Sequence, residues 1–239
     1  VEMGIPFSEP IAEGAVIQNA NIRALSGGCT TDKIFEMIKT LRKKTDIPLV
    51  FMAYANTLYA LEEGTIVVDY TSTSSYGVQS LFSIGNGSAN NQNRHFHVYV
   101  TPNGRLGVEI RNESGLNYHI YKDGAINVNG QNKIAFKADK DNNEYKLFVN
   151  GELVHTVSAA NLGGFKFVND ITGVDNAFIG ATKRNAAMAY NFGGSVHSIK
   201  VYGSALSDAT VQAMTKAETS TPEVPESKEQ YIFHKDDAT

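Results

Sequence analysis

Phe96-His-Val-Tyr-Val-Thr-Pro-Asn-Gly-Arg-Leu-Gly-Val-Glu-Ile-Arg111 is the stretch that decides the fold. Phe96, Val98 and Val100 fall on one face and His97 and Tyr99 on the other, the two-residue period of a strand. Pro102-Asn103-Gly104 has the composition of a turn, and beyond it Leu106, Val108 and Ile110 share a face opposite Glu109 and Arg111. If the five-residue connection pairs Val100 with Leu106, then Tyr99 faces Gly107 and His97 faces Glu109 on one side of an antiparallel sheet. Such a patch suits a sugar acid. Arginine forks onto a carboxylate, glutamate accepts from a hydroxyl or amide, and tyrosine covers apolar carbons. Alternation alone equally describes an ordinary solvated sheet face.

Working outward, the same period marks strands over Thr65 to Tyr70, Ser80 to Ile84, Lys133 to Lys137, Tyr145 to Val149, Leu153 to Val157, Ala177 to Ile179 and Ser195 to Tyr202. Asn150-Gly151 between two of them is the strongest short hairpin signal in the chain. Many short strands with regular turns predict an antiparallel sandwich or barrel. Before about residue 57 the period is helical. Ile34, Phe35, Met37, Ile38 and Leu41 predict an amphipathic helix from Asp32 to Lys44, capped by Thr30 or Thr31, followed by a buried strand over Leu49 to Ala53. This reads as a βα unit of a parallel α/β sheet. Near the other end, Ser207 caps a short helix reaching Met214. A proline-bearing linker follows, and Tyr231 to Phe233 reads as the opening strand of a further domain.

Composition narrows the function classes. Of 239 residues 42% are apolar, which excludes a wholly disordered chain, and a net charge of -4 offers no global attraction to nucleic acid or an anionic membrane. No nucleic-acid partner and no membrane insertion are expected. The single cysteine, Cys29, allows no internal disulfide and no thiolate zinc site. His95 and His97 alone among the six histidines show a spacing that suits a metal, and they read as surface or sheet-face residues. Asp139-Lys-Asp-Asn-Asn143 reads as a polar hairpin loop, because a calcium loop would also need its glycine and distal glutamate. Gly85-Asn-Gly87 and Gly163-Gly164 read as turns rather than phosphate cradles, and no nucleophile elbow is present. Neither a metal nor a cofactor is expected. A chain without tryptophan also lacks the usual flat platform for neutral polysaccharides.

Several motifs appear in order between about Leu61 and Tyr202: Leu81-Phe-Ser83, Phe96-His-Val-Tyr99, Leu106-Gly-Val-Glu-Ile-Arg111, Tyr145-Lys-Leu-Phe-Val-Asn-Gly151 and Ile179-Gly-Ala-Thr-Lys-Arg184. This part resembles the sialic-acid-binding lectin domain of bacterial sialidases, a family 40 carbohydrate-binding module. The resemblance implies a concanavalin-like, laminin-G-like β-sandwich that binds terminal sialic acid and tethers a hydrolase to sialylated glycans. It assigns ligand-binding roles to Val78, Tyr99, Glu109, Arg111, Arg184 and Tyr190. Arg184, placed in a loop after a strand, is expected to be free to meet a ligand. The resemblance also implies a secreted or cell-surface setting and a sialidase catalytic domain after Thr239. The strand that such a module has ahead of Leu61 is replaced here, which predicts an unpaired sheet edge.

Glu2-Met-Gly-Ile-Pro-Phe-Ser-Glu-Pro-Ile-Ala-Glu-Gly14, with Ile17-Gln-Asn-Ala20, Arg23-Ala-Leu25 and Tyr54-Ala-Asn56, resembles the tryptophan synthase alpha chain, a cytoplasmic (β/α)8-barrel lyase. The resemblance implies proton-transfer roles for Glu2 and Glu13, although the family usually has aspartate where Glu13 stands. Two barrel units do not close a barrel, so both carboxylates are expected to be vestigial and the chain non-catalytic. The expected organisation is a partial tryptophan synthase-like segment over 1–57, a β-sandwich over 58–217, a linker over 218–230 and the start of a sialidase domain over 231–239.

Overall fold

Strand-period alternation accounts for nearly all of the larger part of the molecule. A computed structural model describes residues 2–6, 14–45, 50–52, 56–73, 77–87, 94–112, 115–216 and 230–233. The chain divides into two units, Val1–Thr57 and Leu58–Thr239.

In the first unit β1 (Glu2–Gly4) and β2 (Val50–Met52) pair in parallel, with α1 (Ala15–Ser26) and α2 (Thr31–Arg42) between them in sequence. The α2 helix is the one the periodicity predicts. Thr30 caps it by accepting from the Lys33 backbone N–H at 3.3 Å, and Lys39 and Arg42 close its last turn. The sequence reading does not find α1, for a physical reason: Gly14 offers no capping side chain and none of the helix's residues is buried. Val16, Ile17, Ile22 and Met37 are exposed, and Ile34 is the one buried hydrophobic residue among the described side chains of this unit. With so little burial among its described side chains, this helix pair is expected to contribute little stability of its own. Limited proteolysis should therefore leave a resistant fragment from about Leu61 to Ala217, and a chain that withstands cleavage near residue 57 would refute this.

A single turn, α3 (Asn56–Tyr59), spans the boundary. The strands of the second unit are β3 (Gly64–Ser72), β4 (Gln79–Gly85), β5 (His95–Val100), β6 (Leu106–Arg111), β7 (Asn117–Lys122), β8 (Gln131–Asp139), β9 (Glu144–Val149), β10 (Glu152–Ser158), β11 (Asn176–Ile179), β12 (Thr182–Arg184), β13 (Ala187–Ala189), β14 (Gly194–Tyr202) and β15 (Gln230–Phe233). They form a six-stranded sheet in the order β10-β9-β8-β3-β14-β15, a five-stranded sheet in the order β11-β4-β5-β6-β7, and a β12-β13 hairpin, all antiparallel. Phe96, Val98, Val108 and Ile110 of the five-stranded sheet share one core with Val68, Phe136, Leu147 and Ile199 of the six-stranded sheet. That shared core makes the unit a β-sandwich. Phe96 lies 5.8 Å from Phe136 and 5.5 Å from Phe167, ring centre to ring centre, and all three are fully buried.

On the outer face of the larger sheet, α4 (Asp208–Thr215) covers Val67, Ala135, Phe148 and Tyr202 with Val211. Ser207 caps it as predicted, accepting from Thr210 N–H. Asp208 at its first turn takes Lys137 and Lys146, each at 2.7 Å. The outer face of the five-stranded sheet carries the site.

One expectation about the edge changes. The sequence predicts an unpaired sheet edge, whereas the structure lays β15 along β14, with Val201 opposite Tyr231 and Tyr202 opposite Gln230. The pairing runs from Ile199 to Tyr202 and closes that end of β14 within the chain. Tyr231 to Phe233 are also the residues that the sequence assigns to the start of a following domain.

Candidate functional site

Because side chains alternate, the β5-β6-β7 ladder stacks three cross-strand rows on its outer face. They are His95, Arg111 and Asn117; His97, Glu109 and His119; and Tyr99, Gly107 and Tyr121. The register read from the sequence, Tyr99 opposite Gly107 and His97 opposite Glu109, is the one observed.

Glu109 is the hub of these rows. Its Oε2 accepts from His95 Nε2–H at 3.2 Å and from His97 Nε2–H at 3.3 Å. An ionised carboxylate only accepts, so both Nε2 atoms must carry protons. His97 Nδ1 is then the acceptor for the Thr182 hydroxyl at 3.4 Å. Arg111 places Nε 3.2 Å from Oε2 and donates from Nη2 to Oε1 at 3.3 Å and to His119 Nε2 at 2.8 Å. Burial works to raise the Glu109 pKa, but the two imidazole hydrogen bonds and the Arg111 charge hold it well below the usual carboxylate range. Glu109 is a fixed anion. Burial pushes both histidines down, His97 to about 4, and on His95 the charges of Arg111 and Arg184 act in the same direction. Both imidazoles are neutral at neutral pH.

Beside this row, β12 and β13 form a hairpin whose turn residues Asn185 and Ala186 have φ of 50° and 57°, the left-handed pair of a tight two-residue turn. Tyr190 follows at φ 56°, a left-handed conformation that costs a non-glycine residue of order 1–3 kcal/mol. Its ring stacks on His97 at 5.6 Å, and its carbonyl accepts from Ser80 N–H of β4 at 2.8 Å. Arg184 donates to the Tyr190 hydroxyl, with its guanidinium carbon 5.0 Å from that ring's centre. Val78, half-buried, stands one residue ahead of β4. The Tyr99 ring also stacks on His97, at 5.0 Å.

Two readings from the sequence need correction. Arg184 is neither in a loop nor free: it ends β12 and is held by Tyr190. His95 and His97 are not surface residues; they are 1% and 0% exposed, covered by groups from distant segments. Tyr99 is 3% exposed and forms a wall of the site. The sequence reading also leaves out Thr182 and His119, which complete the network. Glu2 is placed on β1, and Glu13 lies outside the described residues.

His95, His97 and Glu109 offer three metal-ligating atoms within 4.8 Å of one another. In this site both imidazoles hydrogen-bond the carboxylate, and the Arg111 guanidinium, 3.2 Å from Oε2, is a cation already competing for the same oxygen. What the arrangement offers instead is an anion and two guanidiniums bracketed by tyrosines, a set that takes a carboxylate together with neighbouring N–H or O–H groups.

Gly107 makes room for the Tyr99 wall. A Cβ added there would lie 2.3 Å from Tyr99 Cζ, so the ring would have to swing away. Gly107→Ala should therefore weaken ligand binding several-fold with a modest loss of thermal stability; unchanged affinity would remove Tyr99 from the site.

Residues 39–219 match the family described as Sialidase, N-terminal domain. The anhydrosialidase of Macrobdella decora is 47% identical over 162 residues, which cover 65% of this chain but 21% of that protein. The chain thus spans about a fifth of that relative's length. The family 40 carbohydrate-binding module of the Ruminococcus gnavus IT-sialidase, solved bound to α2,3-sialyllactose, superimposes with a TM-score of 0.65 at 47% identity, covering 68% of this chain and 87% of that one. Separately, the tryptophan synthase alpha chain of Alkaliphilus metalliredigens is 51% identical over 59 residues, 25% of this chain and 22% of that enzyme.

Proposed function

Because the chain belongs to the sialidase N-terminal domain family, we propose that its larger unit binds terminal sialic acid through Arg111, Arg184, Glu109, Tyr99, Tyr190 and Val78. The observation that carries this is a connected cluster on the outer face of the five-stranded sheet: Arg111 lies 3.2 Å from Glu109, which His97 also contacts, and Arg184 donates to Tyr190, whose ring stacks on that same His97. The arginines take the sugar carboxylate, Glu109 accepts from a neighbouring N–H or hydroxyl, and the tyrosines with Val78 cover apolar carbons. Support comes from the relative solved with α2,3-sialyllactose. In this reading the second unit, Leu58–Thr239, is a non-catalytic module that tethers a sialidase to sialylated glycans outside the cell or at its surface. No helix among the described residues is long and apolar enough to cross a membrane.

A single sugar on a shallow sheet face makes few contacts, so affinity should lie on the order of high micromolar to millimolar per site. Titration with 3′-sialyllactose beside lactose tests this, and equal binding of the two would refute it. The match of 59 residues to a tryptophan synthase alpha chain favours a second reading, lyase activity on indole-glycerol phosphate. The short segment gives one parallel strand pair with its helices, and indole release should be absent.

A further inference from the structure

His97 makes no contact suited to a ligand, being fully buried, yet it touches three of the residues assigned to the sugar. Its Nε2–H donates to Glu109, and its ring stacks with Tyr99 and with Tyr190, at interplanar angles of 28° and 29°. Its remaining nitrogen is taken by Thr182 on β12, two residues before Arg184. His95 crosses it edge-on at 5.0 Å and gives Glu109 its second imidazole hydrogen bond. No other side chain described at this site joins the β6 carboxylate, the β5 tyrosine and the β12-β13 hairpin.

From this we infer that His97 is a positioning residue of the sugar site: one buried imidazole sets the Glu109 carboxylate and holds the Tyr99 and Tyr190 rings by stacking with each. The inference rests on the sialic-acid reading above and deepens it. Its physical basis is preorganisation. A carboxylate already fixed by buried donors loses little freedom when a ligand arrives, and two rings that stack with one rigid, buried imidazole are held in place before binding. The Thr182 hydroxyl has its own part, because it holds Nδ1 as an acceptor and thereby keeps the proton on Nε2, where Glu109 needs it.

The test is a double-mutant cycle on the full chain, with 3′-sialyllactose as the probe and melting temperature measured alongside. His97→Phe keeps a flat ring against the tyrosines and removes the hydrogen bond; His97→Gln retains an N–H donor and removes the ring. Each should weaken binding roughly tenfold, the size of one charge-assisted hydrogen bond, while the chain stays folded. Glu109→Gln combined with His97→Phe should be little worse than Glu109→Gln alone, because the histidine acts through the carboxylate. A purely structural histidine would give independent, additive losses. If His97→Phe does not fold, Thr182→Val takes its place in the cycle, since it frees Nδ1 without touching the rings. Folded His97 variants that bind within about twofold of the unmodified protein, or additive losses in the cycle, overturn the inference and leave the sialic-acid reading standing. An unmodified protein that does not distinguish sialyllactose from lactose overturns both.

Discussion

Arg184→Ala should weaken 3′-sialyllactose binding by roughly 10- to 100-fold while moving the melting temperature little, the size of a lost charge-assisted contact of about 1.5–3 kcal/mol. Two effects combine. The guanidinium that would meet the sugar carboxylate is removed, and the Tyr190 hydroxyl loses the donor that holds its ring. Neither effect reaches the shared core, so stability is spared. Arg184→Lys should recover only part of the affinity, since a point charge lacks the planar fork. Arg111→Ala is a different experiment. Arg111 touches both oxygens of Glu109 and donates to His119, so its loss should reduce binding and also lower the melting temperature. Titration and thermal melts of the three variants separate these outcomes. Normal binding by Arg184→Ala, or a loss explained by unfolding, would show that the site is misplaced.

The contrast between the two arginines also shows which parts of this molecule can be read from its sequence. Neighbours on one hairpin were legible: alternation and the Pro102-Asn103-Gly104 turn determine which residues oppose each other, and Glu109 duly meets His97 and Arg111. The next strand was not. In β7 only Tyr118 and Ile120 face inward, and Asn117, His119 and Tyr121 leave it looking like polar loop. The burial of His97 was equally hidden, because Thr182 and Tyr190, which help cover it, come from a hairpin more than eighty residues later. Nothing local distinguishes a histidine on a solvated sheet face from one stacked with two tyrosines. Arg184 was misread for the same reason, since its partner Tyr190 is reached through the left-handed Asn185-Ala186 turn, which lacks the usual glycine. The β15 strand was legible as a strand but not as a neighbour of β14, because an apolar tripeptide carries no record of which edge it completes.

Acid should destabilise the sandwich in two separate windows, and His97 dominates the upper one. Burial lowers its pKa from the ordinary 6.5 to about 4, with hydrogen bonding to Glu109 opposing that shift and the nearby His95 and Arg184 charges adding to it. The sign follows from proton binding. Between these two values the unfolded chain takes up a proton that the folded site refuses, so stability is complete above pH 6.5 and falls as the pH drops toward 4. At 1.36 kcal/mol per unit this amounts to about 3 kcal/mol from His97, and His95, shifted in the same direction, adds to the loss. The carboxylates act lower down. Burial opposes the shift in each, but hydrogen bonds hold Glu109, Asp139 and Asp208 below their ordinary values, so their contribution persists at neutral pH and disappears only as the pH falls below the ordinary carboxylate range. Melting temperatures of the unmodified chain and of His97→Gln across pH 7.5 to 4 should therefore diverge at the neutral end and converge in acid, the variant having the flatter curve because glutamine has no proton to take up. Parallel curves would mean that the buried imidazole accepts its proton in the folded state as readily as in the unfolded one, and that the seal made by Tyr99, Tyr190 and Thr182 is open to water.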